Sequence, residues 1–333
     1  MMRTCWTPRV IMVRQYCTGG ARRYTAFFKK YPYMSDYSPY RIVDIAALPA
    51  EPGWLLQQPQ PVIAVGQGAT ANADVVVVER AAADALVAGI ERNPRAALVL
   101  VQVLRAIERL PLESALDLES MAYATLQAGA EHRTWLAARE DAPQLVAGGE
   151  GPAVLVSREG DVVFAQLNRS ASRNSLSVEM RDALVELFEL VLLDASIERV
   201  ELSARGACFS VGGELREFGL APDSAAAHYV RSVRSPGRLL SRCAARVHCH
   251  VHSACLGSGM ELPAFAGRLS AEPRSFFQLP ELGMGLIPGA GGCVSISRRI
   301  GRQRTAWLVL SGRKINAARA LEWGLIDSIA ERG

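Results

Sequence analysis

The chain has 333 residues, enough for two domains or for one large core with an appendage, because single hydrophobic cores stop growing near about 250–300 residues. Half of the residues are hydrophobic and 21% are charged, as in a soluble globular protein, and the sequence lacks the ~18 uninterrupted apolar residues of a membrane span. The net charge of +4 sits in residues 1–35, where Arg3, Arg9, Arg14, Arg22, Arg23, Lys29 and Lys30 meet no acid; the remainder, 30 basic against 33 acidic groups, is slightly acidic, which removes the main support for a nucleic-acid partner.

The acid-free leader loosely fits an organelle transit peptide, and the plainer reading is that translation begins at Met34. Seven cysteines form no CxxC pair and leave one over from any pairing, so a reducing, cytoplasmic setting is expected.

After the leader, 41–61 is rich in Pro and Gln and reads as a loosely packed approach to the fold. The β-branched runs 61–65 and 73–79 predict two short strands. Helical periodicity then covers 80–93, stopped by Pro94; 94–110, opened by that proline; 112–128, ended by Gly129; and 130–141. The small-residue segment 142–153 reads as a linker and marks a domain boundary.

Beyond it, 153–169 is two β runs about a Glu-Gly-Asp turn, hence a hairpin. Residues 177–196 carry Met180, Leu184, Leu187 and Val191 at helical spacing, with Ser177 as a candidate N-cap, and 197–205 returns to strand. Strand, helix and strand in succession argue for a layered α/β core.

The stretch RVHCHVHSACLGSGMELP (246–263) poses a choice. Period-two spacing puts His248, His250 and His252 on one face of a strand, neighbours about 6.6–7 Å apart. A zinc site needs further ligands, and only His132 and His228 remain as histidines elsewhere. A half-buried, hydrogen-bonded strand face is therefore expected, with no metal. The glycine turn that follows leads into a short helix, whose first amides, at Ser258 and Gly259, could face an oxyanion. The turn in GACFSVGGELREF (206–218) could add the amide of Val211, and Glu261 and Glu281 stand nearby as proton carriers. Those are the parts needed for chemistry beside a thioester carbonyl. Glu214, Glu217 and the basic run 297–305 read as solvated helix positions.

The ordered blocks LNRSASRNSLS (167–177), CFSVGGEL (208–215), HSACLGSGMELPAFAG (252–267), PELGMGLIPGAGG (280–292) and LSGRKINAARALEWGLID (310–327) resemble the crotonase, or enoyl-CoA hydratase/isomerase, superfamily. The resemblance implies an α/β fold of repeated ββα units, an acyl-CoA thioester as substrate, no cofactor beyond that coenzyme A, and a homotrimer or dimer of trimers. It divides the chain into a basic leader (1–40), disordered or artefactual, an α-rich N-terminal domain (41–148) and a crotonase-like domain (153–333).

Carried over by position, the oxyanion hole falls on the amides of Val211 and Ser258, with Gly212, Gly257 and Gly259 expected against the substrate. The hydratases' two glutamates fall on Glu261, which would activate water, and Glu281, which would exchange the α-proton; having both favours hydration or double-bond migration. Four features depart from the family pattern. GGE stands for the usual Gly-Ala-Asp, Ser258 stands for a common glycine, His252-Ser253 stands for a common Asn-Gly, and the sequence stops at Gly333, about where C-terminal helices usually begin. The helical segment before the core is similar to the cofactor-independent dihydroxyphenylacetyl-CoA dioxygenase branch. That likeness keeps an aryl-acetyl-CoA oxygenase as one alternative, and a non-catalytic acyl-CoA-binding subunit is the other.

Overall fold

The computed structural model describes residues 38–140, 144–146, 149 and 151–330. From Pro39 onward the chain is one compact unit. The basic leader, apart from residues 38–40, lies outside the described residues, as does part of the expected linker.

Three parallel strands, β1 (Arg41–Asp44), β2 (Val62–Val65) and β3 (Val75–Val77), form a small first sheet. β1 falls inside the stretch expected to be loosely packed, and it is ordered by pairing with β2. Four helices follow: α1 (Arg80–Arg92), α2 (Pro94–Ile107), α3 (Leu112–Gln127) and α4 (Ala130–Ala137). Pro94 both ends α1 and opens α2, because its ring fixes a helical φ where no amide donor is needed.

The second half builds a six-stranded sheet in the order β12-β9-β7-β6-β5-β4. The hairpin of β4 (Val154–Glu159) and β5 (Val162–Leu167) is its antiparallel pair; β6 (Arg199–Ala204), β7 (Val247–Val251), β9 (Arg268–Ala271) and β12 (Ser328–Ile329) add in parallel. A smaller sheet holds β8 (Ala254–Leu256), β10 (Phe276–Gln278) and β11 (Ile315–Asn316). Between the strands run α5 (Val178–Leu193), α6 (Ser224–Val233), α7 (Pro236–Arg242), the single turn α8 (Ser258–Glu261), α9 (Gly292–Ile300), α10 (Arg302–Ser311) and α11 (Ala317–Trp323). Ser177 caps α5, its hydroxyl accepting from the Met180 amide at 3.2 Å.

One hydrophobic core joins the two halves, running from Ile63, Leu86 and Leu100 through Phe188 and Leu202 to Phe277 and Ile326. The basic run 297–305 is not the solvated face expected of it. Arg302 is buried and donates to Asp74 Oδ1 at 3.3 Å and to the Ala73 carbonyl at 3.0 Å. Arg299 donates to the carbonyls of Ala264 and Ala266.

α1 meets α10 with almost no separation at Gly89, where an added Cβ would lie 2.1 Å from the Leu310 carbonyl oxygen. In a free helix Gly→Ala gains about 1 kcal/mol. Here the clash is with backbone, so Gly89→Ala is expected to lose about 1–3 kcal/mol net, seen as a lower urea midpoint. A raised midpoint would contradict this packing.

Candidate active site

The three histidines take the bland role. His248 and His250 alternate with the buried Val247, Cys249 and Val251 on β7. His248 Nδ1 lies 3.4 Å from Glu201, and His250 Nδ1 lies 2.9 Å from Ser270 Oγ. His252, just past the strand, donates from Nε2 to the Gly206 carbonyl at 3.0 Å. Among the described residues no group of three His, Cys, Asp or Glu side chains is placed to hold a metal.

To the right of them the two glycine turns meet edge to edge. Ser210 bridges to Cys255, and the Leu256 amide donates to the Ser210 carbonyl at 3.0 Å. Gly212, Gly257 and Gly259 permit close packing here. A Cβ on them would lie 2.8 Å from the Leu256 oxygen, 2.6 Å from Glu281 Oε1 and 2.6 Å from the Ser210 oxygen, respectively. Each is therefore required by packing, and none of the three lines the cavity that holds Glu261 and Glu281.

The Val211 amide, expected in the oxyanion hole, donates to the Arg173 carbonyl at 3.2 Å, and the residue does not line the cavity. The amide available in that turn belongs to Gly213, two residues on. Gly213 and Ser258 both line a cavity of about 460 Å³, and among the described residues neither amide has an acceptor.

Glu261 and Glu281 line the same cavity, and both are buried. Glu261 ends α8, and its Oε2 accepts from the amides of Ala290 (2.7 Å) and Gly292 (2.9 Å). Burial pushes its carboxyl up to about 7, against the opposing pull of the Ala290, Gly292 and Gly289 amides. Glu281 opens a short turn, Glu281–Met284, and its Oε2 has no partner among the described residues. Burial, with the Glu261 and Glu119 charges adding to it, holds its proton well above the ordinary carboxylate range.

The N-terminal helices supply the other wall, which the sequence reading missed. Glu119 and Tyr123 of α3 line the cavity, and the Arg231 guanidinium from α6 lies over the Tyr123 ring, 4.0 Å from its centroid. Burial pushes the Tyr123 phenol up to about 12. The signal for Glu119 was present: it falls three and four residues from Leu116, Ala115 and Tyr123, inside the apolar stripe of α3. A carboxylate in such a stripe is the anomaly to follow.

Two more side chains of this layer reach the Glu281 turn. Asn93 Nδ2 donates to the Leu282 carbonyl (2.6 Å), and His132 Nδ1 to the Met284 carbonyl (2.9 Å). Glu214, expected in solvent, is buried against Ser175 Oγ (2.7 Å) and Arg216 Nε (2.8 Å). The Arg216 guanidinium lowers its carboxyl to about 2.

The sequence profile of the enoyl-CoA hydratase/isomerase family matches residues 157–332. The chain is 29% identical over 180 residues to the Arabidopsis thaliana protein named "Probable enoyl-CoA hydratase 2, mitochondrial", covering 54% of this chain and 60% of that one. It is 30% identical over 179 residues to the 2,3-dehydroadipyl-CoA hydratase of Escherichia coli, covering 53% of this chain and 68% of that one. Among solved structures, an enoyl-CoA hydratase from Bacillus anthracis aligns with a TM-score of 0.50 at 28% identity over 54% of this chain and 70% of that one. The chain thus spans about three fifths of the length of the Arabidopsis relative. With both glycine turns and both buried glutamates inside the matched segment, the chain belongs to the enoyl-CoA hydratase/isomerase family of the crotonase superfamily.

Proposed function

We propose that this chain is an acyl-CoA enzyme that adds water to an enoyl thioester, or moves its double bond, through an enolate held by the backbone amides of Gly213 and Ser258. The observation that carries the reading is a division of labour between two carboxyls on one cavity: Glu261 held by two amides, Glu281 buried with an unpartnered oxygen. The first suits a base and the second an acid.

In hydration, the Glu261 carboxylate takes a proton from water as its oxygen bonds to Cβ. The π electrons move onto the thioester oxygen, where two amides fixed in place meet the new charge without reorganising. Collapse of the enolate takes the Glu281 proton at Cα, leaving Glu261 protonated and Glu281 ionised until the two exchange protons with solvent. Migration of a double bond needs the same enolate and one carboxyl to carry the proton.

The test is incubation under air with saturated, enoyl and aryl-acetyl-CoAs, following enoyl absorbance and oxygen together. Loss of enoyl absorbance without oxygen uptake is expected. Oxygen uptake with aryl-acetyl-CoA would instead mark an oxygenase, and binding without turnover a non-catalytic subunit. The pH dependence adds a sign. Glu261 must be ionised to act as base, so kcat/KM for hydration should fall about tenfold per pH unit as pH drops below about 7. An acid limb in the ordinary carboxylate range would exclude Glu261 as that base.

A further inference from the structure

We propose that Glu119 is a positioning residue for Glu261: the N-terminal helix α3 supplies a carboxyl that fixes the segment whose amides hold the base. The inference rests on the hydration reading for its kinetic arm.

The geometry is an interleaved grip on residues 290–294. The amides of Ala290 and Gly292 donate to Glu261 Oε2 at 2.7 and 2.9 Å. The amide between them, Gly291, donates the other way, to Glu119 Oε1 at 2.7 Å, and the Val294 amide reaches Glu119 Oε2 at 3.3 Å. Two carboxyls from distant parts of the chain therefore take alternate amides of one turn, at the start of α9. The turn has no slack on the Glu261 side, since a Cβ on Gly292 would lie 2.4 Å from Glu261 Cγ. Glu119 is 2% exposed and both its oxygens are engaged, so it is held as firmly as the group it supports. Remove its two bonds and the Gly291 amide loses its acceptor in a dry site, while the Val294 amide keeps only the Gly291 carbonyl at 3.1 Å; the stranded Gly291 amide costs more than its bond was worth and drives the turn to rearrange. Ala290 and Gly292 would then leave Glu261.

The titratable and charged groups facing Glu261 are Glu281 from the turn after β10, Glu119 and Tyr123 from α3, Arg231 from α6 and the Cys293 thiol from α9, and burial holds the proton on all of them except Arg231, which is a cation. This setting lets the sign of a titration separate two roles. If Glu119 acts by holding the turn, its loss strips Glu261 of amides that favour the carboxylate, and the Glu261 proton affinity rises. If it acts only by repulsion, its loss removes a negative neighbour, and the affinity falls.

The experiment uses the full chain and the variants Glu119→Ala and Glu119→Gln, each checked for a single cooperative unfolding transition that lies well above the assay temperature. For Glu119→Ala, water addition to an enoyl-CoA should fall by at least about tenfold with KM little changed. Exchange of the α-proton of a saturated acyl-CoA in heavy water, which runs through Glu281, should fall by no more than about threefold. The Glu261 carboxyl, followed by difference infrared spectroscopy against Glu261→Gln, should titrate higher than in the wild type. Glu119→Gln keeps an acceptor oxygen and should restore most of each effect.

Parallel loss of both reactions would overturn the proposal in favour of general support of the fold. A lower or unmoved Glu261 titration would overturn it as well. A wild type that exchanges α-protons but never adds water would defeat the hydration reading, and the titration would still decide the role of Glu119.

Discussion

Glutamine in place of Glu281 is expected to stop proton transfer at Cα and to lower hydration by at least about 10²-fold, the usual worth of a positioned acid or base. The substitution is nearly isosteric and replaces a carboxyl whose Oε2 has no partner among the described residues, so the surrounding turn has no bond to lose at that atom. Glu261→Gln should cost a similar factor in water addition and yet leave α-proton exchange running, because that step belongs to Glu281. Acyl-CoA binding should persist in both variants, since the thioester oxygen is proposed to sit on the Gly213 and Ser258 amides. Single-turnover rates in heavy water, with binding measured separately, check all of these outcomes. A wild-type protein that binds acyl-CoA without exchanging the α-proton would remove every version of the mechanism that passes through an enolate.

The second large effect is on stability. Asp74 is buried between two arginines, Arg105 of α2 and Arg302 at the start of α10, and its Oδ2 also accepts from the Val62 amide at 2.8 Å. Asp74→Ala would leave two guanidinium groups and an amide in a dry interior. Breaking a buried pair from one side costs about 3–5 kcal/mol, far more than the pair contributes relative to an apolar replacement. Urea unfolding should show a loss of that size with an unchanged slope; a loss below about 1 kcal/mol would mean that water reaches the arginines. Because Arg302 lies within the family-matched half and Asp74 and Arg105 lie before it, the same triad fastens the first sheet to the core.

Local signals carried most of the architecture. Pro94, Gly129 and Ser177 marked helix ends because caps and breakers act within a few residues of themselves. β1 escaped notice because four residues, RIVD, are too few to show a period and owe their order to β2. At the site, Glu261, Glu281 and Ser258 were legible as motif positions. The Val211 amide, by contrast, is taken by the Arg173 carbonyl, and which amide of a tight turn is left unpaired depends on where such a distant carbonyl falls. The solvated reading of Glu214 and Arg302 failed for a related reason: their partners, Ser175 and Asp74, lie 39 and 228 residues away. Glu119 is the instructive omission, since its place in the apolar face of α3 was visible and only its destination was not.

Four hydrogen bonds from the helical layer to the segments around Glu261 and Glu281 span 189 residues at Asn93–Leu282, 172 at Glu119–Gly291, 175 at Glu119–Val294 and 152 at His132–Met284. Closing loops of this length delays a contact until much of the intervening chain has condensed, because its entropy must be spent before the bond rewards it. Chain order sharpens the effect: α1 to α4 leave the ribosome well before the segments they will hold, and wait with their polar ends unmatched. Competence for proton transfer would therefore be among the last properties this molecule acquires as it folds, appearing when the earliest-made helices meet the latest-made turns.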